Sequence, residues 1–277
     1  MRQALELVTL AIIAYRQEAV VAEAIAAAFA QTYQPLEILL SDDCSPDGTY
    51  QVMEQMAAGY TGPHRLRLNR NRQNLGLIGH VNRVFDLAEG VLIVANAGDD
   101  ISEPERVARL YAAFRDRRPM LVHSNVTDMA LDGTPMPRQR ARDRHAQLAQ
   151  MPLARLAVTK NNCIGASCGW NPDLMRRFGP ITEPRAFEDR VMHFRASLVG
   201  EVAYVDARLL RYRRGGGLSA GGGKGPADTR KALEVDLATF RQRLKDCLHV
   251  APERQDVLDA LGHKIAKRAR ELAALAE

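Results

Sequence analysis

Gly90-Val-Leu-Ile-Val-Ala-Asn-Ala-Gly-Asp-Asp-Ile-Ser-Glu-Pro104 is the stretch whose reading decides the fold. Val91 to Ala95 is a short apolar run rich in β-branched residues, bounded by Gly90 and the polar turn Asn96 to Gly98, and this predicts a buried strand. Asp99 and Asp100 fall where that strand ends, and Pro104 opens the next helix. In an open α/β sheet, ligands bind beyond the carboxyl ends of the strands, so carboxylates placed there reach a metal ion or a sugar hydroxyl. A cap for the following helix, from Asp100 or Ser102, is the simpler alternative.

The same unit recurs on either side. Leu7 to Tyr15 reads as a strand that stops at Arg16-Gln17-Glu18, and Val21, Ile25, Ala28 and Phe29 then recur at helical spacing. Leu36 to Leu40 is a second strand, ending in Ser41-Asp-Asp-Cys-Ser-Pro-Asp-Gly-Thr49. Tyr50 to Ala58 is helical, Arg65 to Leu68 a short strand, and Asn74-Leu-Gly-Leu-Ile-Gly-His-Val-Asn82 a turn into a helix reaching Ala88. Pro104 to Arg117 continues as helix and Met120 to Met129 as strand. Strands alternating with helices predict an α/β fold with a mostly parallel, Rossmann-like sheet covered on both faces. The polar turns then gather on one edge.

The 277 residues, 46% hydrophobic and 26% charged, suit a globular protein with a large core. A net charge of +5 does not call for nucleic acid; it suits an anionic substrate or contact with an anionic membrane surface. The N-terminus lacks the layout of a secretory signal and no run is long enough to span a bilayer, which predicts a cytoplasmic protein, at most peripheral on the inner face of the membrane. Cys44, Cys163, Cys168 and Cys247 are too scattered for a disulfide framework or a paired zinc motif and read as reduced thiols. Asn125-Val-Thr127 matches a glycosylation sequon, a chance match without a secretory route.

The second half is less periodic. Residues 130 to 150, with Arg138, Arg140, Arg142 and Arg144, read as a solvated crossing segment whose arginines could also grip an anionic acceptor or a membrane. Helix begins near Pro152, followed by Asn161-Asn-Cys-Ile-Gly-Ala-Ser-Cys-Gly-Trp170. Phe187-Glu-Asp-Arg190 leads into a helix, Val191 to Leu198, and its carboxylates read equally as N-terminal caps. Glu201 to Leu210 is a final strand, followed by the glycine-rich run from Arg211 to Pro226. Leu233, Leu237, Phe240, Leu244 and Leu248 form one tail stripe and Leu258, Leu261, Ile265 and Leu272 another. Such stripes pack on their own domain, on a second copy as a homodimer contact, or on a membrane surface.

Tyr15 after the first strand, Asp-Asp-Cys-Ser-Pro-Asp-Gly-Thr after the second, Asn-Leu-Gly before a helix, and Gly-Asp-Asp-Ile-Ser-Glu-Pro after the central strand together resemble the family-two inverting glycosyltransferases of the GT-A fold. The usual family text is close to Tyr-Asn, Asp-Asp-Gly-Ser-x-Asp-Gly-Thr, Asn-x-Gly and Asp-x-Asp-Asp. The likeness runs over residues 7 to 215. It implies a nucleotide-sugar site of Ala14, Tyr15, Glu18, Asp42, Asn74, Gly76, Asp99 and Asp100, in which Tyr15 stacks on the base, Asp42 hydrogen-bonds it, and Asp99 faces the ribose and a metal held by the diphosphate. It implies Asp189 as general base with Glu188 beside it, and Ser167, Trp170 and Arg190 toward the sugar and acceptor. The implied cofactor is Mg²⁺ or Mn²⁺.

Three departures bear on this. Ala97 stands where the first metal-motif Asp is usual, Gly215 where a histidine completes the metal site, and Val81 where many relatives carry an arginine. Asp99 is then the single acidic ligand, and Arg211, Arg213, Arg214 or Lys224 become candidates for neutralising diphosphate charge. The expected organisation is a GT-A domain over residues 1–225, with a nucleotide-sugar half to about 129 and an acceptor half from 130, and a helical extension over 226–277. The expected activity is inverting transfer from a nucleotide-diphosphate sugar, a UDP-sugar first, to an acceptor hydroxyl on a glycan, lipid-linked glycan or small molecule, in bacterial polysaccharide or glycoconjugate assembly. The alternatives are a non-catalytic nucleotide-sugar sensor or scaffold, which the departures favour, and a sugar nucleotidyltransferase, which Ala14-Tyr-Arg-Gln-Glu18 fits poorly for want of a phosphate loop.

Overall fold

Strand β1 (Val8–Ala14) carries the sheet's centre because nearly every one of its residues is apolar and buried. The computed structural model describes residues 5–136, 148–160, 163–215 and 226–275. In order, the elements after β1 are α1 (Val21–Phe29), β2 (Leu36–Asp42), α2 (Thr49–Ala58), β3 (Arg65–Arg70), α3 (Gly76–Leu87), β4 (Ile93–Ala97), β5 (Ile101–Ser102), α4 (Arg106–Phe114) and β6 (Leu121–Met129). Then come α5 (Leu153–Ala157), a 3₁₀ turn (Gly165–Ser167), β7 (Cys168–Trp170), α6 (Asp173–Phe178), α7 (Glu188–Val199), β8 (Val202–Arg213), α8 (Pro226–Val250) and α9 (Gln255–Ala273).

Among the described residues the eight strands form one sheet in the order β3-β2-β1-β4-β7-β6-β8-β5. The first four are parallel to one another. β7 runs antiparallel to both β4 and β6, and β6 and β8 are parallel again. The expected mixed, mostly parallel sheet with flanking helices and a helical tail is therefore present. The side-chain period of two sorts the strands onto two cores. Leu10, Ile12, Ile38, Leu40 and Val94 meet α1 and α4 on one face, while Ala11, Leu39, Ile93 and Ala95 meet α3 and α7 on the other.

The central strand lies two residues later than the apolar run suggests. Ala97 still pairs with Ile13, and the Gly98 N–H donates to the Ile13 carbonyl at 3.0 Å, so Asn96 and Ala97 belong to the ladder and not to a turn. Neither Asp100 nor Ser102 caps a helix. The helix begins at Arg106 without a side-chain cap, and Ser102 joins β5, which pairs with β8.

The tail stripes turn inward. Leu237, Phe240, Val257 and Leu261 are buried, and Phe240, Val257 and Leu261 pack with Leu156 of α5 and Phe194 of α7. Leu248 is an exception, 54% exposed. Among the described residues no helix is long and apolar enough to cross a membrane. Arg138, Arg140, Arg142, Arg144 and Lys224 lie outside the described residues.

Candidate functional site

The carboxyl ends of β1, β2 and β4 open onto a cleft of about 610 Å³. One wall comes from the turns that follow these strands. It holds Ala14, Tyr15, Arg16 and Gln17 after β1, Asp43 after β2, Asn74, Gly76 and His80 at the head of α3, and Asp99 after β4. Tyr15 is 40% exposed, so its ring face is available to a flat ligand. Gly76 has φ +70° with open space around its missing Cβ, so backbone conformation and not crowding calls for glycine there.

Arg16 and Cys44 also adopt left-handed backbone, at φ 56° and 58°. These are the positions where the resembled motifs carry Asn and Gly, residues that tolerate this region. The turns keep their shape here with strained side chains in place of tolerant ones.

Asp42, expected to hydrogen-bond the base, does not line the cleft, and its neighbour Asp43 does. Asp42 is fully buried and spent on its own turn: Ser45 donates to it through Oγ at 2.5 Å and through its N–H at 3.0 Å. Arg70 adds an ion pair at 3.6 Å. Asp43 lines the cleft, with Oδ1 accepting from Asn71 Nδ2 at 2.7 Å and the Leu75 N–H at 2.9 Å. Alternation along the strand explains the difference, since adjacent residues at its end point to opposite faces. Glu18 accepts from the Gly48 N–H at 2.8 Å and lines an adjoining hollow, outside the main cleft.

At the end of β4 the two acids differ. Asp99 lines the cleft, while Asp100 is turned inward, where Oδ1 accepts the Arg213 N–H at 2.8 Å. Asp100 Oδ2 is buried with no hydrogen-bond partner. Burial raises the pKa of both carboxyls, and the neighbouring Asp99 raises that of Asp100 further. A divalent cation beside Asp99 would favour the ionised form of that carboxyl against the cost of its burial. Among the described residues no cluster of three His, Cys, Asp or Glu side chains forms a full protein cage. The residues thus fit an ion held by Asp99 that takes its other ligands from diphosphate and water, as Mg²⁺ does.

Arg213 is the arginine of its strand that reaches the cleft. Its guanidinium donates to the Asp99 carbonyl at 2.9 Å and pairs with Glu23 at 3.0 Å. Arg214 forks onto Asp128 at 2.9 and 3.0 Å, and Arg211 pairs with Glu103 at 3.1 Å. Val81, where relatives carry an arginine, is in the core.

The opposite wall is the peptide Ile164-Gly165-Ala166 with Phe187, Glu188 and Asp189 at the start of α7. A Cβ on Gly165 would lie 2.3 Å from Glu188 Oε1 and 3.2 Å from Asp189 Cβ, so a side chain there would push the Glu188 carboxyl from its place. Burial, with the charge of Asp189 second, pushes the Glu188 carboxyl up to about 8. The raised pKa favours the protonated form of Glu188 beside Asp189.

Fully buried Arg106 ties the two walls together. It donates to the Ala95 carbonyl at 2.7 Å and Asn96 Oδ1 at 2.9 Å on β4, and to the Ala166 carbonyl at 2.5 Å. Its only sequence signal is an arginine at an inward position of an amphipathic helix. Cys163 and Cys168 stay thiols with their sulfurs 3.3 Å apart behind the Gly165 turn.

Three expected residues lie elsewhere. Trp170 is 1% exposed and stacks on Phe85 at 5.5 Å in the core, because β7 is inserted between β4 and β6. It cannot serve as a sugar platform. Ser167 is buried and its Oγ donates to the Ile164 carbonyl at 2.7 Å, holding the 3₁₀ turn while its neighbours line the cleft. Arg190 faces away toward α8, pairing with Asp236 at 3.2 Å.

The geometry agrees with what comparison shows. The chain belongs to glycosyl transferase family 2, whose model matches residues 9–172, more than half its length. It is 35% identical over 104 residues to the putative glycosyltransferase EpsE of Bacillus subtilis (strain 168), covering 38% of this chain and 37% of that one. With the succinoglycan biosynthesis protein ExoO of Rhizobium meliloti (strain 1021) it is 29% identical over 199 residues, covering 70% and 53%. The chain thus spans 37% of one curated relative and 53% of the other. Among solved structures, S. aureus TarS 1-349 in complex with UDP-GlcNAc superposes with a TM-score of 0.65 at 15% identity, over 98% of this chain and 84% of that chain. The mannosyltransferase PcManGT from Pyrobaculum calidifontis, in complex with GDP-Man and Mn²⁺, gives 0.65 at 17%, over 97% and 74%. These likenesses identify the fold as GT-A.

Proposed function

We propose that the chain is an inverting glycosyltransferase that moves a sugar from a nucleotide-diphosphate donor to an acceptor hydroxyl. The observation that carries this reading is one cleft with two chemically different walls. Tyr15 and Asp43 present a ring face and a carboxylate suited to a nucleotide base, Asp99 with the nearby Arg16 and Arg213 suits a diphosphate, and Asp189 stands opposite. In a single displacement the acceptor oxygen bonds to the anomeric carbon as the bond to the diphosphate breaks, and that electron pair leaves with the nucleoside diphosphate. Asp189 takes the acceptor proton, and protonated Glu188 keeps a second negative charge out of the wall. A divalent ion at Asp99 would neutralise charge on the departing diphosphate. Arg16 and Arg213 add fixed positive potential.

The donor proposal is supported by the UDP-GlcNAc and GDP-Man of the two structural neighbours, with a UDP-sugar taken first. A role in bacterial polysaccharide assembly is supported by ExoO. Membrane-surface contact and a cytoplasmic setting belong to the same proposal, as does the division at residue 225 into a catalytic domain and a helical extension. The test is Asp189→Asn, assayed for transfer and, by NMR, for the anomeric configuration of the wild-type product. Transfer should fall by roughly 10²–10⁴-fold with donor binding kept, and the product should be inverted. Near wild-type turnover in Asp189→Asn, or a product of retained configuration, contradicts the proposal.

A further inference from the structure

We propose that α8 is a clamp that positions the Asp189 carboxylate, with Arg243 as its principal positioning residue; this rests on the reading of Asp189 as the base. Asp189 lies in the first turn of α7, where backbone N–H groups have no partner within the helix. The N-cap residue Phe187 supplies no side-chain cap, and the Glu188 carboxyl accepts from its own N–H and that of Asp189. Further contacts from outside the helix come from one face of α8.

Arg243 is 1% exposed and forks between two segments. Nη2 and Nε donate to the Arg190 carbonyl at 2.7 and 3.2 Å, next to Asp189 in the chain. Nη1 donates to the carbonyls of Ala157 at 2.7 Å and Thr159 at 3.0 Å, at the end of α5. One turn earlier Thr239 Oγ1 accepts the Phe187 N–H at 3.4 Å, and a further turn back buried Asp236 pairs with Arg190 at 3.2 Å. The spacing of 236, 239 and 243 puts all three on one helix face. They hold the backbone on both sides of the carboxylate.

Burial lowers the Arg243 pKa to about 9, so placing a cation there is costly. An apolar side chain would join the two helices at lower cost. What a planar fork adds is register, because it meets carbonyls of two segments at fixed angles.

The test uses the full chain and three variants. Arg243→Lys removes the fork, Thr239→Val removes the acceptor for Phe187, and Val257→Ala loosens the packing of α9 in the same satellite core without removing a hydrogen bond to α7. Arg243→Lys should lower kcat roughly ten- to a hundred-fold while the donor KM stays within about twofold. Thr239→Val should shift kcat in the same sense by less, and it carries the test if Arg243→Lys does not fold. Val257→Ala should lose thermal stability with kcat unchanged. If Arg243→Lys or Thr239→Val keeps wild-type kcat, or if Val257→Ala loses kcat in proportion to its stability, the clamp is refuted. Inactive Asp189→Asn beside fully active clamp variants refutes this inference alone, whereas active Asp189→Asn removes the base reading beneath it.

Discussion

The two walls of the cleft are built by different means. The wall of Tyr15, Asp43, Asn74 and Asp99 is made of short turns at the carboxyl ends of parallel strands, and neighbouring turns brace one another, Asp43 accepting the Leu75 N–H and Ser45 Oγ the Arg16 N–H. The wall of Gly165, Glu188 and Asp189 has a local brace in Ser167 on the Ile164 carbonyl, and its further braces reach in from helices distant in sequence. These are Arg106 on the Ala166 carbonyl and Arg243 on the Arg190 carbonyl. A parallel sheet supplies its crescent of turns through topology alone. On the proposed reading Asp189 must sit within hydrogen-bond reach of one acceptor oxygen, and its placement would depend on buried guanidinium groups.

The contrast can be broken most severely at Gly165. Gly165→Ala puts a methyl group against Glu188 Oε1, and the displaced carboxyl should lower kcat by roughly a hundred-fold while nucleotide affinity holds. Unchanged kcat in Gly165→Ala would show that the two walls do not depend on that close approach. The opposite split is expected from Tyr15→Ala. An exposed ring contributes little to folding, so donor affinity should fall roughly ten- to a hundred-fold with the melting temperature unchanged. Equal donor affinity by calorimetry would remove Tyr15 from the nucleotide site.

Glu188 offers a pH signature for the second wall alone. Its folded pKa is raised, from an ordinary 4.5 to about 8, so the folded state favours the protonated acid. Stability is therefore lost as pH rises above the unfolded value, and the loss levels off beyond the folded one. Glu188→Gln should match wild type in acid, exceed it in chemical denaturation between those limits, and lose an alkaline inflection of kcat near pH 8. A wild-type inflection that survives in Glu188→Gln belongs to another group. The smallest effect belongs to the first wall: Cys44→Gly relieves left-handed strain at a loss in unfolded-state entropy, for a net gain of about 0.5–1 kcal/mol. A destabilised Cys44→Gly would show that the turn is not strained.

How much was legible in the sequence follows the same division. The strand-turn-helix rhythm placed β1, β2, β4 and the acidic turns to within a few residues, because period and turn chemistry are local. Which of Asp42 and Asp43 enters the cleft was not legible, since one step along the chain reverses the face and the run itself does not say where the strand ends. Trp170 was misplaced because β7 is three residues long, antiparallel, and inserted between strands far apart in sequence. Arg106 left only the weak signal of its inward helical position; an arginine within a helix ordinarily reads as a solvated side chain, and the fold shows Arg106 and Arg243 buried.

The central claim is that the first wall holds a nucleotide-diphosphate sugar and the second does chemistry on it. Its most direct test is calorimetric titration of wild type and Asp189→Asn with uridine, guanosine and thymidine diphosphate sugars, with Mg²⁺ or Mn²⁺ and again with EDTA. The account predicts saturable binding of one nucleotide class, equal in the two proteins and weakened by EDTA. No saturable binding of any donor by either protein would contradict it.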